Sequence, residues 1–244
     1  MSVQYLLKAD WAADDLPCLT LAPDPFGSDL PPVLLLHGLG GRKENQLQSG
    51  YAFARAGFRA VACDLALHGE RDRSDERDQL LRDDYVSTMF ELVSQSVRDV
   101  SRMIDWLGVE SIALHAVSLG GVVAFAALLA EPRISAASIA MGTPDWLGML
   151  APQGVVKGHP LYDLAASVSP LELAHRMNPA ALLMLHGDED EVIPIDGVRK
   201  LQAALQGRYR ETPERLDLIV YREHGHKYTD DMLARSIAWT QKFL

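Results

Sequence analysis

Short apolar runs alternate with longer stretches of helical spacing along most of the chain. Val33–Leu36 is wholly apolar after Pro31 and Pro32, as expected for a strand buried on both faces. Phe58–Cys63, Ser111–His115, Ala136–Met141, Ala181–Leu185 and Leu216–Tyr221 have the same character. Between them, 43–56, 84–107, 119–131, 197–205 and 229–243 carry helical spacing. In the longest of these, Met89, Leu92, Val93, Val97, Val100, Ile104 and Leu107 recur at intervals of three and four, a core-facing stripe. Pro132 closes the helix that begins after Ser118. Val3–Lys8 and Leu16–Leu21 predict two opening strands joined by a polar turn around Trp11–Asp15, an antiparallel edge.

This alternation predicts an α/β fold, a mostly parallel central sheet with helices on both faces, over 1–244 as a single domain. Only 143–177 breaks the rhythm. That stretch holds Trp146, Met149, Leu150, Leu161 and Tyr162 among prolines and glycines, and is expected to be a small lid or a connector.

Composition narrows the partners. Thirty-three acids against 23 bases give a net charge of −10, which repels phosphate backbones and anionic membrane surfaces. Nucleic acid and membrane are therefore not expected as partners. The longest apolar stretch, Val122–Ala130, falls far short of the ~20 residues that span a bilayer. The first fifteen residues contain no uninterrupted apolar run of the signal-peptide kind. Cys18 and Cys63 lie far apart and form no metal or redox pair by spacing, so a cytoplasmic protein with free thiols is expected.

Ligands of such sheets bind beyond the carboxyl ends of the strands, so the residues just after each strand carry the candidate chemistry. After Val33–Leu36 comes His37-Gly38-Leu39-Gly40-Gly41, a turn whose backbone N–H groups can face a ligand. After Ser111–His115 comes Ala116-Val117-Ser118-Leu119-Gly120-Gly121. A serine on a sharp strand-to-helix turn needs small residues two before and two after it, and the helix N-terminus behind it suits a developing oxyanion. After Ala181–Leu185 four acids, Asp188 to Glu191, follow His186-Gly187, and one of them could orient a histidine. After Leu216–Tyr221 come His224 and His226, either of which could act as a base. In an extended stretch the two point to the same side, so spacing does not choose between them.

These motifs together resemble the α/β-hydrolase superfamily, in its small bacterial esterase branch related to dienelactone hydrolases and prolyl oligopeptidases. The resemblance rests on H-G-L-G-G at 37–41, D-L-A-L-H-G-E-R at 64–71, the Ser118 elbow and H-G-D-E-D-E-V-I-P at 186–194. It implies a serine hydrolase cleaving carboxylic esters through an acyl-enzyme, with Ser118 as nucleophile, Asp190 as acid and His226 as base. Asp188 and Asp145 stand behind Asp190. The backbone N–H groups of Leu39 and Leu119 would hold the oxyanion, and Trp146, Met149, Leu150 and Tyr162 would line a substrate pocket. Ala116 stands where glycine is commoner. His37, His68, Glu70, Arg71, His115 and His186 read as scaffold. No cofactor and no metal are implied. Thioesterase, lactone hydrolase and catalytically silent binding module are the alternatives, while Ser118 excludes dehalogenase chemistry, which needs an aspartate at the elbow.

Overall fold

The structure, a computed structural model, describes residues 4–24 and 30–244. Val3, the start of the first expected strand, lies outside the described residues. Eight strands form one sheet: β1 (Tyr5–Ala12), β2 (Leu16–Pro23), β3 (Pro32–Leu36), β4 (Arg59–Cys63), β5 (Ile112–Val117), β6 (Ile134–Ala140), β7 (Ala181–Gly187) and β8 (Leu216–Tyr221). Their order is β1-β2-β4-β3-β5-β6-β7-β8. Pairing from β4 to β8 is parallel, and β1 and β2 form the antiparallel edge.

The opening turn is tighter than the polar run suggested. Trp11 still pairs with Pro17, and reversal happens at 13–15, with Ala13 and Asp14 both at positive φ. The β2–β4 register sets Cys18 directly opposite Cys63, two residues that sequence spacing alone leaves unrelated. Both thiols are free and buried, and burial pushes that of Cys18 up to about 11.

Alternate residues of the apolar strands serve opposite faces. Leu34 and Leu36 pack with α3 (Tyr85–Leu107), α4 (Leu119–Ala130) and α7 (Asp196–Leu205). Val33 and Leu35 pack with α1 (Leu47–Arg55) and α8 (Asp230–Phe243). A two-residue period thus buries every position of β3, which explains why the strand shows no polar alternation. Asp84 caps α3 by accepting from the Ser87 N–H at 3.0 Å, and Gly108 ends it at φ 65°. One helix had no sequence signal. It is α2 (Arg77–Asp83), which buries no residue and rests Leu80 and Leu81 on the core only partly. Among the described residues no helix is long and apolar enough to cross a membrane.

The arrhythmic stretch contains α5 (Trp146–Leu150), α6 (Tyr162–Val168) and two single 3-10 turns. Trp146 and Leu150 are buried, and the Trp146 ring lies 5.2 Å from that of Phe90 on α3. This segment is anchored by its own apolar residues.

Candidate active site

The Ser118 elbow is a strained turn. Between β5 and α4 the serine adopts φ 55° and ψ −117°, a conformation that side-chain-bearing residues rarely hold. Its N–H donates to Ala140 O at 2.8 Å, and its carbonyl accepts from Gly121 and Val122, so both neighbours pin the turn. A Cβ on Gly120 would stand 2.4 Å from Leu36 O, which is why nothing larger fits there. Ala116, two residues before the serine, is fully buried without needing to be glycine.

The loop after β8 brings His226 over this turn. Its Nε2 lies 2.9 Å from Ser118 Oγ, and its Nδ1 lies 2.7 Å from Asp190 Oδ2. Asp190 is buried beyond β7, and the backbone N–H groups of Val192 and Ile193 donate to its other oxygen at 3.0 and 2.8 Å. Those two bonds fix which oxygen meets the imidazole. With Asp190 accepting the Nδ1 proton, Nε2 carries the lone pair that accepts from the serine hydroxyl.

The competing residues are engaged elsewhere. His224 Nε2 donates to Lys227 O at 2.6 Å. Asp188 is exposed, with its own N–H donating to Tyr221 O. Asp145 caps α5 through Gly148 N at 2.7 Å and pairs with Lys200 at 3.1 Å. A Cβ on Gly187 would stand 2.0 Å from His224 O, so glycine at the end of β7 admits the loop that carries both histidines.

Two further histidines join the loops around the serine. His68 Nδ1 donates to Ala66 O at 2.8 Å, which leaves Nε2 to accept the Gly40 N–H at 3.1 Å. His37 Nδ1 donates to Gly38 O at 2.8 Å, and its Nε2 accepts the Leu65 N–H at 3.1 Å. Each bond pattern requires a neutral ring. Burial supplies it, holding His37 below its usual range and pushing His68 down to about 4. The loop of His68 carries an ion cluster in which buried Lys43, which the sequence did not single out, reaches Asp64 at 3.1 Å and Glu70 at 2.9 Å. Burial opposes its charge, but the hydrogen bonds to Glu70, Glu44 and Asp64 win and hold the ammonium above its usual range. Glu70 and Arg71 are thus scaffold, the latter through Asp99 at 2.7 Å.

His115 and His186 are also bonded into the frame. Tyr228 OH donates to His115 Nε2 at 3.0 Å, with Ser138 Oγ 3.1 Å from Nδ1, and burial pushes His115 down to about 4. His186 Nε2 donates to Ile193 O at 2.7 Å.

A cavity of about 500 Å³ opens at Ser118. Tyr85, Met89, Leu119 and Val122 form its apolar wall, and Met149 and Pro152 close it from the 143–177 segment. Of the four expected pocket residues only Met149 faces it. Trp146 and Leu150 point into the core, because the short α5 turns its large side chains toward Phe90 and the α3 side, and Tyr162 is not on the wall. Lys200, Gln153 and the 69% exposed Val192 also line the cavity, with the carboxylates Asp145, Glu191 and Asp196; Lys200 and Gln153 carried no signal in the sequence.

The sequence profile of the alpha/beta hydrolase fold matches residues 31–153, which hold β3 and the Ser118 elbow. The chain belongs to the α/β hydrolase family. As a member of that family the protein is a hydrolase. It is 26% identical over 234 residues to "Putative esterase YitV" of Bacillus subtilis (strain 168), covering 88% of this chain and 90% of that protein. It is 23% identical over 244 residues to "Esterase YjfP" of Escherichia coli (strain K12), covering 86% of this chain and 96% of the relative. Among solved structures it is similar to TT1662 from Thermus thermophilus, with a TM-score of 0.75 and 26% identity over 99% of this chain and 98% of the other.

Proposed function

We propose that this hydrolase is a serine esterase working through Ser118, His226 and Asp190. The observation that carries the reading is the unbroken line of hydrogen bonds from Ser118 Oγ through the imidazole to Asp190, at 2.9 and 2.7 Å. His226 Nε2 takes the hydroxyl proton as Oγ attacks the ester carbonyl, and Asp190 holds the Nδ1–H tautomer while favouring the imidazolium. The C–O bond to the alcohol then breaks, with the Nε2 proton passing to the departing oxygen. Water, deprotonated by the same nitrogen, cleaves the acyl-serine and restores the hydroxyl.

The oxyanion would accept from the N–H groups of Leu39 and Leu119. In the described residues the N–H groups of Gly40 and Gly41 are taken by His68 and Gly38, whereas neither leucine N–H has an internal partner. The 143–177 segment acts as a small lid within the single domain, since Met149 and Pro152 roof the acyl cavity. A neutral ester of modest acyl length fits that apolar wall. The names of the two relatives agree with this reading.

Labelling with a fluorophosphonate probe and hydrolysis of p-nitrophenyl butyrate test it together. The wild-type protein should label at Ser118 and turn over the ester, and Ser118→Ala should do neither. Wild-type rates in Ser118→Ala would overturn it.

A further inference from the structure

The sheet ends at β1, and among the described residues no strand pairs with its outer edge. β1 is eight residues long, contains no proline, and exposes Leu6, Leu7 and Trp11 at 41, 56 and 51%. A long apolar edge of this kind is a template for a further strand. Which of its backbone groups are free follows from β2. Pro17 and Pro23 lie opposite Trp11 and Tyr5 and have no N–H to donate, so these are the non-hydrogen-bonded pairs of the β1–β2 ladder. Gln4 O, accepting from the Asp24 N–H at 2.8 Å, fixes the same alternation. The N–H and C=O groups of Tyr5, Leu7, Ala9 and Trp11 therefore point outward, and the Trp11 N–H turns to the Asp10 carboxylate at 2.9 Å.

The side chains divide by the same two-residue period. The Tyr5 ring lies 5.1 Å from that of Tyr51 on α1, so Tyr5, Leu7, Ala9 and Trp11 share the α1 face of the sheet. Lys8 and Asp10 are on the other face, where they form an ion pair. A lysine on an edge strand by itself opposes pairing with a second copy, because it can be set against its own counterpart. The aspartate two positions on removes that penalty in one register.

We propose that two copies of this protein join edge to edge through β1, antiparallel, with Ala9 opposite Ala9 on the two-fold axis. Such an axis sets one residue of the strand opposite itself, so few registers compete. Centring on Lys8 or on Asp10 puts like charges face to face. Centring on Ala9 puts each Lys8 against the Asp10 of the other copy and each Leu7 against its Trp11, both favourable cross-strand pairs. The same register takes up the outward backbone groups of Leu7, Ala9 and Trp11. The Trp11 N–H passes from Asp10 to the Leu7 carbonyl of the other copy, which frees the carboxylate oxygen for Lys8. The net charge of −10 on each copy opposes association, but salt at 0.1 M screens such repulsion beyond about 10 Å, whereas the four Lys8 and Asp10 charges lie in contact.

Sedimentation velocity on the full chain, at about 0.15 M salt, tests the pairing. The wild type should form a dimer whose share rises with concentration. Lys8→Glu brings four acids together and Asp10→Lys four lysines, so each variant should raise the dissociation constant by about tenfold or more. Mixed one to one, the two variants should dimerise again, because each then carries the charge that the other lacks. Ala9→Pro, which removes an N–H that β2 does not use, should stay monomeric with an unchanged melting temperature. Should the variants fail to fold, hydrogen exchange on the wild type decides: the Leu7, Ala9 and Trp11 amides should gain protection as the dimer forms. A wild type that remains monomeric overturns the proposal. A dimer indifferent to all three substitutions, single variants that do not recover on mixing, or a dimer that leaves those amides unprotected would do the same.

Discussion

His68 Nε2 accepts the backbone N–H of Gly40 at 3.1 Å, across 28 positions of sequence. That bond, with its counterpart from Leu65 N–H to His37, locks the His37–Gly41 loop against the loop that follows β4. If Leu39 N–H supports the oxyanion as proposed, His68 and His37 act as positioning residues for it.

Replacing His68 with alanine should therefore weaken oxyanion support without altering substrate binding. Leaving the Gly40 N–H unpaired costs about 1–3 kcal/mol, so kcat should fall by roughly 5- to 150-fold with KM little changed. Steady-state kinetics on p-nitrophenyl butyrate decides it; a rise in KM alone would contradict the positioning role.

Buried neutral histidines also set an acid limit on stability. His68 and His115 sit at about 4 in the folded protein against 6.5 unfolded, so below pH 6.5 the unfolded chain takes up protons that the native one refuses. Their stabilising contribution is complete above pH 6.5 and declines as pH falls toward about 4. The slope approaches ~1.4 kcal/mol per pH unit for each ring at most. Urea midpoints measured from pH 7.5 to 4.5 should show the decline, and His115→Phe should flatten it.

Asp190→Asn keeps an acceptor oxygen for one neighbour but loses the charge that selects the Nδ1–H tautomer of His226. A loss in kcat of about 10³- to 10⁴-fold is expected, with an unchanged melting temperature separating it from misfolding.

Gly187→Ala tests the approach of the histidine loop. Its new Cβ would meet His224 O at 2.0 Å, so the 223–227 loop must shift and carry His226 off Ser118. Activity should disappear together with rapid fluorophosphonate labelling, while far-ultraviolet circular dichroism stays that of the wild type.

Met149 and Trp146 should separate pocket from core. Met149→Ala, which enlarges the cavity wall, should shift preference toward longer acyl chains across p-nitrophenyl esters of two to ten carbons. Trp146→Ala should cost about 3–5 kcal/mol in urea unfolding and leave the chain-length profile in place.

The local pattern determined the elements, because a strand buried on both faces and a helix with one apolar stripe each leave their own period in the chain. It also singled out Ser118 as the candidate nucleophile, since a strand, small residues and a helix flank it in the sequence. What it left open were choices between near neighbours. His224 and His226 differ in what they meet, the first Lys227 O and the second Ser118 and Asp190, on other elements of the fold. Trp146 and Met149 lie three residues apart, and the way α5 packs on α3 sent one into the core and the other to the cavity. Lys43 reaches Asp64 and Glu70 across 21 and 27 positions, and Gln48 reaches Asp230 across 182. Contacts of that range leave no periodic trace, because they depend on where whole elements lie in the sheet and not on the order of residues within any one of them.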